Sequence, residues 1–106
     1  MMIGPIPKPP DTVPDCLSAH LTSAGDCTFP LGQTVNLAGE GAERATVIAA
    51  GGFYAITQSW FCAGPTCAVI VDNLEMWRDD NHITEPYAAY LGPALAAEIA
   101  RVMPPA

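Results

Sequence analysis

Trp77-Arg78-Asp79-Asp80-Asn81-His82-Ile83-Thr84 leads from a loop into the last helix of this 106-residue chain. It sets a carboxylate three residues ahead of a histidine. On a turn, that spacing lets Asp79 and His82 project to the same side of the domain. A histidine beside a carboxylate suits the activation of a hydroxyl nucleophile: the imidazole takes the proton, and the carboxylate fixes the tautomer and stabilises the imidazolium. Asp80 is the rival to Asp79 as orienting acid; otherwise it reads as a surface partner for Arg78, of small energetic weight if exposed. Without its surroundings, His82 reads equally well as a capping or surface histidine ahead of a helix.

Downstream, Thr84 is placed to cap that helix, with Glu85 in the first turn to suit the dipole and Pro86 where a missing N–H is harmless. Tyr87, Leu91, Leu95 and Ile99 recur at i, i+4 spacing, joined by Ala94 and Val102, which predicts one buried face. Gly92-Pro93 predicts a kink or break within it. Upstream, Ala68–Val71 and Phe53–Thr57 read as short apolar strands. Residues 72–82 read as loop, with Leu74, Met76 and Trp77 pinned to the body. Val35 to Ala50 reads as helix, stopped by Gly51-Gly52. Asp15 to Leu21 reads as one or two helical turns capped by Asp15, and Cys27 to Gln33 as loop. Pro5, Pro7, Pro9, Pro10 and Pro14 oppose regular structure. Met1 to Ile6 looks like the end of a buried strand. Strand, helix, strand, strand, helix is the alternation of the last third or half of an α/β domain.

Half of the residues are apolar and 14% are charged, so a packed core is possible, although eleven prolines and nine glycines imply much turn and loop. Four Lys and Arg against eleven Asp and Glu, a net charge of −7, argue against nucleic acid and against anionic membrane surfaces as partners. Neutral substrates such as sugars and acyl esters stay open. Of the three possible pairings of four cysteines, locality favours Cys16–Cys27 and Cys62–Cys67. Each closes a short loop and would contribute roughly 2–3 kcal/mol. A four-cysteine zinc site is the rival, but neither pair has Cys-x-x-Cys spacing and no histidine adjoins either pair, so no metal set is expected. Disulfides imply an oxidising compartment. The N-terminus, Met1-Met2-Ile3-Gly4-Pro5, lacks the features of a signal peptide, and no stretch is long enough to span a membrane. The expectation is a piece whose export signal lies upstream.

Trp60-Phe61-Cys62, Cys67 through Asn73, Trp77 through Thr84, Tyr87 and Tyr90-Leu91 together resemble the end of an SGNH domain. More narrowly, they resemble the SGNH domain fused behind the membrane part of bacterial acyltransferase family 3 proteins. Pro7-Lys8-Pro9-Pro10 with Val13-Pro14-Asp15-Cys16-Leu17 resembles the linker after a central strand of those domains. The match covers nearly the whole chain and is weakest between Leu31 and Ala49.

The resemblance implies part of a flavodoxin-like three-layer α/β/α domain, with residues 1–15 a strand end and Pro-rich linker and residues 16–106 the remainder. It implies an O-acyltransferase or esterase on the extracytoplasmic face, acting on cell-envelope carbohydrate without metal or cofactor. Its partners would be an acyl-donating membrane acyltransferase domain or an upstream half-domain. By position, His82 is the general base and Asp79 its orienting acid. The family's Gly-Asp-Ser block and its later oxyanion-binding glycine and asparagine are missing, and none of Ser18, Ser23 and Ser59 has a Gly-Asp context. The chain is therefore expected to be inactive alone. The alternative is a non-catalytic, disulfide-stapled extracytoplasmic module that binds carbohydrate or is a relic. Trp60, Phe61 and Trp77 read as core packing before sugar platforms, Tyr87 and Tyr90 as packing for the last helix, and His20 as a plain helix-end or surface residue.

Overall fold

In the computed structural model, which describes residues 1–103, the chain is mixed α/β with helices and small sheets, compatible with the partial domain expected above. In chain order the elements are β1 (Met2–Ile3), α1 (Val13–Ala19), β2 (Phe29–Pro30), α2 (Leu37–Ala49), β3 (Tyr54–Ala55), β4 (Cys62–Ala63), β5 (Thr66–Cys67), β6 (Ile70–Val71), β7 (Leu74–Glu75), α3 (Glu85–Tyr90) and α4 (Gly92–Val102). β1 and β3 pair in parallel, Met2 opposite Tyr54 and Ile3 opposite Ala55. β2, β5 and β4 form an antiparallel sheet, and β6–β7 is a hairpin.

The parallel pair is held closely. The Met2 and Gly4 amides donate to the Phe53 and Ala55 carbonyls, both at 2.8 Å. A Cβ on Gly4 would meet the Tyr54 hydroxyl at 2.9 Å and the Ala55 carbonyl at 3.2 Å, so only glycine fits under that ring. Carbonyls alternate along a strand, so the Tyr54 carbonyl faces away from β1. It accepts a long bond, 3.4 Å, from Nη2 of Arg101 on α4, and Arg101 itself pairs with Glu98. The far edge of β1 carries no strand among the described residues. Met1, Met2 and Ile3 are 42–47% exposed there, so the expected burial of this segment is not found within the chain.

The core is built by other segments. Cys67, Met76 and Trp77 are fully buried, surrounded by Val13, Cys27, Phe29, Phe61, Val69 and Tyr87. Trp77 packs against Phe61 at 5.3 Å between centroids and edge-on to Phe29 at 6.2 Å. Tyr87 meets Phe61 edge-on at 5.8 Å, and its hydroxyl donates to the Trp60 carbonyl. Such pairs add to simple area burial because ring edges and faces carry opposite partial charge.

Several boundaries differ from the sequence expectation. α1 begins at Val13, two residues before Asp15, with Pro14 in its first turn, where a proline removes no helical bond. Its N-cap is Thr12, and no side chain caps it. Leu21 lies beyond the helix and is exposed. The 53–57 strand contracts to Tyr54–Ala55, with Phe53 exposed and Thr57 buried and bonded to the Pro5 carbonyl at 2.7 Å. Residues 27–33 contain β2 rather than loop alone. Residues 72–82 begin with the turn and second strand of the β6–β7 hairpin, where Asp72 and Asn73 both have positive φ, 48° and 61°. Two left-handed central residues give the turn whose twist matches the strands.

The last helix is capped and broken where the sequence predicts, but the expected buried face is buried only at its start. Thr84 Oγ1 accepts from the Tyr87 amide at 3.2 Å, and the helix breaks at Leu91-Gly92 into α3 and α4. Its apolar stripe is buried at Tyr87, half-buried at Leu91 and Leu95, and exposed at Ile99.

Candidate active site

The loop between β7 and α3 is pinned at both ends. Trp77, anchored in the core, bridges to Ile83, and the Arg78 amide donates to the His82 carbonyl at 2.8 Å. The Thr84 amide donates to the Met76 carbonyl at 3.0 Å, and the Thr84 hydroxyl to the Glu75 carbonyl at 2.6 Å. Residues 79–82 are thereby forced into a tight, outward-facing turn.

Within that turn Asp79 and His82 are brought together. Asp79 Oδ1 accepts the amides of Asn81 at 2.8 Å and His82 at 2.7 Å. Asp79 Oδ2 lies 2.7 Å from His82 Nδ1. An ionised carboxylate only accepts, so the proton of the neutral ring sits on Nδ1 and the basic lone pair is on Nε2. Nε2 has no protein partner among the described residues, and the His82 side chain is 59% exposed. The Asn81 amide, followed by the ring and amide of His82, lowers the Asp79 carboxyl to about 2 against the opposing effect of desolvation. The acid is therefore ionised wherever its imidazole could act as a base.

Asp80 turns elsewhere. Its carboxylate pairs with Lys8 Nζ at 2.8 Å rather than with Arg78, and the main-chain amide of Val13 donates to the Asp79 carbonyl at 3.5 Å. These contacts bring the 77–84 turn to the Pro-rich segment that follows β1, near the carboxyl end of the parallel pair, where α/β sheets place their sites. No serine hydroxyl bonds to His82 among the described residues. Ser18 donates to the Pro14 carbonyl at 2.9 Å, and Ser59 lines a separate cavity.

The cysteines pair as locality predicts. Cys16–Cys27 spans α1 and the turn before β2, and Cys62–Cys67 joins directly opposite residues of β4 and β5. Phe61 and Trp77 are core, as read. Trp60 is half-buried and, with Phe61, Tyr87 and Tyr90, lines a cavity of about 370 Å³ that nothing in the sequence disclosed. Tyr90 stacks on Tyr87 at 5.5 Å with its outer side exposed, and its hydroxyl donates to Asp72 at 3.2 Å. His20 ends α1, as read, but sequence reading missed that its ring lies against the Cys16–Cys27 bridge. It also missed Glu40, buried on α2 with one oxygen bonded to Gln58 at 2.5 Å and the other unpartnered.

No helix among the described residues is long and apolar enough to cross a membrane. No curated protein and no solved structure shows a significant match to the chain. A family model described as the SGNH domain fused to AT3 domains matches residues 1–97. With that match across nearly its whole length, the chain belongs to the family of SGNH domains associated with AT3 acyltransferases.

Proposed function

We propose that this chain supplies the base-bearing half of a serine acyl-transfer site that moves acyl groups onto or off cell-envelope carbohydrate on the extracytoplasmic side of the membrane. The observation that carries this reading is the Asp79–His82 pair, with an ionised acceptor on Nδ1 and an unengaged Nε2. The serine comes from a segment outside these 106 residues, since no Gly-Asp-Ser sequence occurs among them. Nε2 takes the serine proton as the hydroxyl attacks the acyl carbonyl, and the imidazolium then protonates the leaving group. A carbohydrate hydroxyl, activated by the same nitrogen, accepts the acyl group in the second half-reaction. The acyl donor is the AT3 membrane domain, and the two disulfides suit an oxidising compartment.

The open edge of β1 and the adjoining apolar groove support docking of a serine-bearing segment. The groove is about 250 Å³ and lined by Ile3, Ile6, Ile83, Leu91 and Leu95 among others. The test is to co-express the chain with an upstream Gly-Asp-Ser half and follow hydrolysis of a chromogenic acetate ester. Activity that needs both pieces and is abolished by His82→Ala supports the reading. Full activity in that variant overturns it.

The second reading, a non-catalytic carbohydrate-binding module, is favoured by the aromatic cavity with the exposed outer face of Tyr90 at its rim. Saturable binding of envelope oligosaccharides by this chain alone, lost in Tyr90→Ala and retained in His82→Ala, would select it.

A further inference from the structure

His20 stands at the C-terminal end of α1, one turn after Cys16. Its Nδ1 lies 2.8 Å from the Cys16 carbonyl oxygen, 3.7 Å from Cys16 Sγ and 3.8 Å from Cys27 Sγ. A carbonyl only accepts, so Nδ1 carries the proton in this contact. One N–H is thus held beside both sulfurs of a disulfide. Cys27 is buried at 8% exposure, whereas Cys16 is half-buried and reachable. The second disulfide also pairs a half-buried cysteine, Cys62, with a buried one, Cys67, but no titratable side chain bonds to either of its sulfurs among the described residues.

We propose that Cys16–Cys27 is a thiol-exchange site, opened by a dithiol reductant with His20 as the group that stabilises the leaving sulfur. The external thiolate attacks Cys16 Sγ. A new S–S bond forms there as the Cys16–Cys27 bond breaks, and Cys27 Sγ leaves with the electron pair as a thiolate. The Nδ1–H of His20, already beside that sulfur, turns from the Cys16 carbonyl to the thiolate, and in the imidazolium form it adds charge pairing. A better-stabilised leaving thiolate departs faster. The second thiolate of the reductant then attacks the mixed disulfide and releases Cys16. Two electrons pass from the dithiol, which ends as a disulfide, to the protein, and the two freed thiolates take protons from water. The proposal is independent of any acyl-transfer role.

The test exposes the oxidised chain to dithiothreitol or glutathione, quenches with an alkylating agent and reads each cysteine by peptide mass. Cys16 and Cys27 are expected to open roughly tenfold or more faster than Cys62 and Cys67, the scale of one hydrogen bond to a charged group. With glutathione, the mixed disulfide is expected on Cys16 and the free thiol on Cys27. With dithiothreitol, both are expected free.

His20→Phe keeps the bulk of the ring but removes the N–H from beside both sulfurs, so opening should slow roughly tenfold. An unchanged Cys62–Cys67 rate in the same sample shows that the variant is folded. Should the variant unfold, the order of opening and the site of glutathione addition in the wild-type chain decide alone. Equal opening rates, Cys62–Cys67 opening first, or glutathione on Cys27 in the wild-type chain overturns the proposal.

Discussion

Asp79 holds His82 at two points: one carboxylate oxygen accepts the His82 amide at 2.7 Å and the other faces its Nδ1, also at 2.7 Å. The same side chain therefore shapes the turn through one oxygen and orients the ring through the other, and the second effect needs the carboxylate ionised.

The Asp79 carboxyl should titrate near 2 when followed by carbon NMR. Its folded value is depressed, so its contribution to stability is present above the ordinary aspartate value of 3.8 and is lost as pH falls through about 2. Asp79→Asn should leave the turn formed but shift the His82 proton from Nδ1 toward Nε2, visible in nitrogen shifts. In the reassembled domain it should lower acyl transfer on the order of 10⁴-fold, the cost of the wrong tautomer in serine triads.

Gly4→Ala drives a methyl into the Tyr54 ring and the Ala55 carbonyl. The expected cost is about 1–3 kcal/mol, read as a lower denaturation midpoint. A midpoint equal to that of the parent chain would mean that β1 and β3 are not closely paired in solution.

Burial raises the hydroxyls of Tyr54 and Tyr87 to about 12, with the Glu43 hydrogen bond helping at Tyr54. Each is held neutral by the fold. Their contribution is complete below the ordinary tyrosine value of 10.0 and is lost as pH rises toward 12, so alkaline unfolding should fall in that window. Absorbance at tyrosinate wavelengths should lag behind that of free tyrosine. Tyr87→Phe leaves the Trp60 carbonyl without its donor and should destabilise by about 1–3 kcal/mol.

Lys8→Ala should change stability by less than about 1 kcal/mol, because the ion pair with Asp80 is exposed on both sides. A denaturation midpoint well below that of the parent chain would show that this pair orders the 77–84 turn.

What the sequence disclosed is what is decided locally. Thr84 with Glu85 and Pro86 forms a cap whatever lies elsewhere, Gly92-Pro93 breaks a helix by its own geometry, and short loops bring Cys16 to Cys27 and Cys62 to Cys67. Asp79 and His82 meet because three residues on a pinned turn leave them little choice. The Asp72-Asn73 hairpin turn is legible too, since those residue types tolerate positive φ between apolar neighbours, although residues 72–82 read more readily as loop. α1 starts earlier than Asp15 because Pro14, a breaker inside a helix, is harmless in a first turn. His20 beside the disulfide, Glu40 beneath Gln58 and the cavity at Tyr90 arise from contacts between distant segments, and periodicity carries no information about those.

The cap that Arg101 places on the Tyr54 carbonyl makes the parallel pair one-handed in what it can recruit. Fibre growth by strand addition needs two complementary edges on the same sheet, and among the described residues the β1–β3 sheet leaves that of β1 open while Arg101 occupies a carbonyl of the other. Two copies meeting there would satisfy each other and leave no edge for a third. Any assembly built through this sheet therefore closes at one guest per chain, and its exposed apolar edge does not seed a polymer.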